Sequence, residues 1–132
     1  MHVDPAKAVK DALQARWRGV HPTWKPTLEV ADDYQPVAGS PTLLVADDGG
    51  GMLNGGAWLV RRDLMRIDIR MTAFAKGRSE AREVLEEAID AVFAAKPPEI
   101  ARIENLPAPI EGKDRATGAY LASITMPVLV RP

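Results

Sequence analysis

The chain has 132 residues, 46% of them apolar, a formal net charge of -1 and no cysteine. That is material for one core and one domain, and it excludes disulfides and thiolate metal sites. A charge so near zero supplies no global basic field to draw the protein to nucleic acid or anionic lipid.

Asp4 and Pro5 open a helix, because the aspartate suits the N-cap and proline at the first helical position gives up no needed hydrogen bond. Val9, Ala12, Leu13, Trp17 and Val20 form its apolar side, and Gly19 followed by Pro22 ends it. Residues 21–40 hold Pro22, Pro26 and Pro36 and show no clear period, apart from a short edge-strand signal over 27–30. So long a stretch without an element reads as a functional arm or a loop ordered by a partner. Residues 41–46 (PTLLVA) predict a strand. Asp47, Asp48, three glycines and Asn54-Gly55-Gly56 predict a hairpin tip, and 57–62 (AWLVRR) the returning strand, with Asp63 marking a break or bulge before Leu64.

From Leu64 the chain alternates strictly. Met65, Ile67, Ile69, Met71 and Ala73 point one way and Arg66, Asp68, Arg70 and Thr72 the other, the pattern of a half-buried strand. After Lys76-Gly77 the period becomes helical: Ala81, Val84, Leu85, Ala88, Ile89, Val92 and Phe93 make one apolar stripe. Ser79 is the predicted cap, and Pro97-Pro98 stop the helix. The three strands before this helix are most simply an antiparallel meander. Beyond it, residues 100–106 suit a strand by position and 107–118 read as a polar loop containing EGKDRATG. Residues 120–131 (YLASITMPVLVR) read as a last strand, placed at an edge or with a bulge because Pro127 costs a ladder donor. The expected fold is α/β of the α+β kind: one domain with a helix over 1–20, an extended arm over 21–40 and a core over 41–132. A mostly antiparallel or mixed sheet of about four to five strands packs against two helices.

Catalytic chemistry is hard to assemble from these residues. A nucleophile needs a base beside it, yet His2 and His21 sit in no motif. Asp32-Asp33 and Asp47-Asp48 have no third ligand at a fixed spacing, and GGGMLNGG lacks the Lys-Ser/Thr of a phosphate loop. The expectation is a protein that is no enzyme and uses no cofactor and no metal. No apolar run approaches the ~20 residues of a membrane span, and the first residues lack the apolar region of a signal peptide, so the protein is expected to be soluble and made in the cytoplasm. The polar side of the central strand does stand out. Arg61, Arg62, Arg66 and Arg70, with Asp63 and Asp68 among them, form either a solvated sheet face with weak ion pairs or a surface that meets another subunit or lines a pore.

The junction RIDIRMTAFAKGRSEAREVLEEAIDAV and the ending DRATGAYLASITMPVLVRP, together with the element order, resemble tail terminator proteins of long-tailed (siphovirus) bacteriophages, particularly of actinobacterial hosts. The similarity covers most of residues 41–132 and is one of pattern, without a catalytic signature. It implies a homohexameric ring on the head-proximal end of the tail tube, which stops tube polymerisation and offers a surface to the head–tail connector protein. The implied partners are other copies of the chain, the tail tube protein and the connector, with genome DNA passing through unread and no membrane contact. The implied location is the virion tail, after assembly in the host cytoplasm. Head–tail joining (neck) proteins of the same phages share size and architecture and are the alternative; a small nucleic-acid or peptide-binding module is a third reading. From the residues, Arg62, Arg66, Asp68 and Arg70 are candidates for a subunit interface or lumen. Asp47, Asp48, Asn54, Lys113, Asp114 and Arg115 are candidates for loops that meet the axial partners.

Overall fold

A computed structural model describes residues 4–29, 40–47, 57–61, 64–98, 100–104 and 106–130, with residues 57–61, 64 and 65 described by their backbone. Helix α1 (Pro5–Val20) starts as its sequence dictates, with Asp4 Oδ1 accepting from the Lys7 N–H at 3.0 Å. Its buried side is Pro5, Ala6, Val9, Leu13 and Trp17. Val20, assigned to that side from the sequence, is instead 64% exposed, because the helix ends there and its last turn projects beyond the core.

Strand β1 (Lys25–Thr27) pairs in parallel with β2 (Thr42–Asp47). The edge strand therefore begins two residues before the predicted 27–30, set by the Lys25 N–H donating to Pro41 O at 3.1 Å. Pro26 is tolerated because the strand is an edge. Residues 30–39 of the predicted arm lie outside the described residues.

The remaining elements are β3 (Ala57–Arg61), β4 (Leu64–Ala75), α2 (Arg78–Ala95), β5 (Ile100–Ile103), β6 (Ile110–Lys113) and β7 (Tyr120–Val130). Together they make an α+β fold with a curled mixed sheet. Its centre is the long antiparallel pair of β4 and β7, running from Met65 opposite Val130 to Ala75 opposite Tyr120. The expected meander of β2, β3 and β4 does not form. β2 and β3 both pair with β4, Asp47 opposite Ile69 and Ala57 opposite Ile67, so they are two pieces of one lane pointing the same way. At 12 residues β4 is twice as long as the six-residue β2, and its edge needs both pieces. The antiparallel neighbours in sequence are therefore β3 and β4, and the predicted glycine-rich tip, residues 48–56, lies outside the described residues.

The outer edge of β7 is built the same way, with β5 opposite residues 128–130 and β6 opposite residues 120–123. Strand β6 lies inside the stretch predicted as loop; all four of its residues are exposed, so it leaves no alternation to detect. β7 is likewise interior and not an edge. Pro127 O accepts from the Glu104 N–H at 2.9 Å, so its missing donor also faces the outer lane. That lane is broken between Ile103 and Ile110, and the proline removes no bond from the β4 ladder.

Both helices cover one face of the sheet. Leu43 and Val45 of β2, Ile69, Met71 and Ala73 of β4, and Ile124, Met126 and Val128 of β7 are buried beneath them. Helix α2 contributes Ala81, Val84, Leu85, Ala88, Ala91 and Val92, spaced three and four apart, while α1 packs on α2, β1 and β2. Phe93 departs from the predicted stripe and is 48% exposed. Ser79 is not the cap: Gly77, extended at φ -138° and ψ 152°, holds the N-cap position and places Ser79 inside the first turn. At the other end Lys96 adopts a left-handed φ of 38° and donates to Val92 O, and Pro97-Pro98 follow.

Candidate interaction surfaces

The sheet face opposite the helices carries Arg66, Asp68, Arg70, Thr72 and Phe74 from β4 beside Leu121, Ser123, Thr125, Pro127 and Leu129 from β7. Alternation and the antiparallel register bring them together, and among the described residues no helix covers them. Thr72 and Ser123, directly opposite, share a hydroxyl–hydroxyl hydrogen bond of 2.9 Å. Arg66 Nε lies 3.7 Å from Glu104 Oε1 at the end of β5, so part of its charge is answered within the subunit. Asp68 stands opposite Pro127 and keeps a buried Oδ1 without a hydrogen-bond partner among the described residues. Arg70 is exposed at a groove of about 370 Å³ that it lines with Thr72, Ile110, Leu121 and Thr125. Arg62 lies outside the described residues.

Those of the predicted loop residues that are described do not converge. Asp48 and Asn54 fall outside the described residues. Asp47 ends β2, and its carboxyl is held above the usual range, first by burial and then by the Asp4 carboxylate. Lys113 closes β6 with its ammonium 5.3 Å from the centre of the Tyr120 ring. Asp114 is committed to the β6–β7 turn: its carboxylate accepts from the Ala116 N–H at 3.1 Å and the Thr117 hydroxyl at 2.8 Å. Gly118 completes that turn with a φ of 76°, a conformation that favours glycine. Arg115 is exposed at the turn's tip.

The two outer edges of the sheet hold what sequence reasoning missed. At the β1 edge, Trp17, His21 and Trp24 form an aromatic cluster: the two indoles meet edge to face at 5.2 Å, and His21 stacks on Trp24 at 3.6 Å. Their spacing of four and three residues across the end of α1 was the available signal. This cluster walls a groove of about 450 Å³ with Arg18 and Lys25 at its rim, and exposed Val20 and Leu28 lie next to it in the chain. At the opposite edge, Arg82 of α2 holds both oxygens of Glu111 on β6, at 2.9 and 2.8 Å, and Arg78 adds a bond of 3.2 Å. Ile110 beside it is 72% exposed. Phe93 is eleven residues past Arg82, about three turns, and so lies along the same side of α2.

The Glu111 carboxyl is held below its ordinary value of 4.5, chiefly by the hydrogen bonds from Arg82 and then Arg78. A lowered folded-state pKa gives stability that is complete above 4.5 and lost as pH falls through the lower value. Glu111→Gln should therefore melt slightly lower than the parent at pH 7, since exposed ion pairs are worth little. The gap should close as the pH falls below 4.5, in melts recorded from pH 7 downward.

No protein-family model matches the chain, and no curated protein matches it. Among the described residues no group of three or more His, Asp or Glu is placed to hold a metal, and no helix is long and apolar enough to cross a membrane.

Proposed function

We propose that the protein is a structural ring subunit, a tail terminator that caps the head-proximal end of a phage tail tube and presents a surface to the head–tail connector. The observation that carries this reading is where the large exposed apolar side chains fall. Among the described residues these are Val20, Leu28, Phe93 and Ile110. Val20 and Leu28 lie by the β1 edge of the sheet, and Phe93 and Ile110 by the β5/β6 edge. A closed ring uses a heterologous contact, in which two different patches on opposite flanks of each subunit meet. Two apolar flanks that differ in composition suit that geometry, whereas a two-fold dimer would need one self-complementary patch. The uncovered sheet face with Arg66, Asp68 and Arg70 is left for the lumen or for the ends of the ring.

Light scattering on the concentrated protein, and on isolated tails carrying it, tests this directly. The expected particle is about six times the 14.3 kDa subunit mass. A protein that stays monomeric alone and is absent from tails would overturn the reading. A neck protein would form a similar ring, but would bind the connector without capping purified tail tubes.

A further inference from the structure

The groove at the β1 edge is built to receive something negative. Its rim carries Arg18 and Lys25, His21 stacks on Trp24 in its wall, and among the described residues no acidic one lines it. Trp17, another wall residue, is 1% exposed, and its buried indole N–H has no acceptor among the described residues. A carboxylate entering the groove would answer the two rim cations. The complementary element is on the chain itself. Glu86, Asp90 and Phe93 occupy positions i, i+4 and i+7 of α2 and form one exposed stripe. The ion pairs of the described residues include none of Arg18, Lys25, Glu86 and Asp90. Helix α2 has no basic residue in its last turn to offset these acids.

We infer that the groove of one subunit receives the Glu86–Asp90–Phe93 stripe of a second copy, and that this contact joins neighbours around the ring. The carboxylates pair with Arg18 and Lys25 while Phe93 packs on the His21–Trp24 wall. This rests on the ring reading and specifies its interface, with the cationic half of the contact at the end of α1 and on β1.

A charge exchange between two variants tests the pairing. Arg18→Glu with Lys25→Glu makes the groove acidic; Glu86→Lys with Asp90→Lys makes the stripe basic. All four side chains are at the surface, so each variant should keep the parent's circular dichroism and melting behaviour. Each alone sets like charges against like, and association should weaken at least about tenfold. Mixed in equal amounts, the two variants can alternate around an even-numbered ring with every contact restored, and the full mass should return. If the parent forms rings and either variant alone still does so undiminished, the groove contact is wrong and the ring stands. If both variants fail alone and the mixture stays dissociated, this pairing is likewise overturned. A parent that never associates overturns the ring and the groove contact together.

Discussion

Replacing Trp17 with alanine should cost about 3–5 kcal/mol of stability, the range for removing a buried large aromatic. Trp17 is 1% exposed, sits in the core with Val9 and Leu13, and meets Trp24 edge to face. It is the last buried residue of α1, so its loss loosens the helix where the chain turns into β1. Against the total of ~5–15 kcal/mol usual for a domain, that is a large fraction. Trp17→Phe should cost much less, because it removes ring volume but also removes a buried N–H that has no acceptor among the described residues. Denaturant midpoints for both variants check the pair. A loss under about 1 kcal/mol for the alanine variant would mean that α1 is not anchored at this residue.

What could be read from the sequence was set by which residues carried a period. β4 and α2 bury one face each, so alternation over Met65 to Ala73 and the three-four spacing from Ala81 to Val92 marked them, and the helices-on-sheet architecture followed. β6 has all four residues exposed and so carried no period at all. Strand order was illegible for a different reason. Glycine and Asn-Gly report that a chain can turn, not which strands pair; that β2 and β3 share one edge of β4 depends on how much partner β4 needs along its length. Pro127 misled because its missing donor was charged to the wrong side of the strand, a fact only the register with β4 and Glu104 supplies. Of the candidate site residues, Arg66, Asp68 and Arg70 do share one sheet face, since period two requires it. Lys113, Asp114 and Arg115 share a turn, but Asp114 is spent on closing it. The groove of Trp17, His21 and Trp24 joins the end of a helix to a strand by tertiary packing, which neither period reports.

Leu85→Ala should destabilise by about 2–5 kcal/mol, and the same change at Phe93 by almost nothing in the isolated subunit. Leu85 is 1% exposed and belongs to the cluster that includes Ile69, Met71 and Met126, whereas Phe93 is 48% exposed. Removing three buried carbons leaves a cavity where α2 crosses β4 and β7, and the long central strands cannot collapse to fill it. Ile89, packed only partly against the core, should fall between the two. Because both helices cover the same sheet face and touch each other, loosening α2 should lower the cooperative transition of the whole domain, and one shifted midpoint should be seen by every probe. Urea unfolding followed by helix signal and by tryptophan fluorescence measures this. Equal and small losses at Leu85 and Phe93 would place the stripe in solvent and refute the packing of α2. Equal and large losses would put Phe93 in the core, and would remove it from the surface that the ring contact needs.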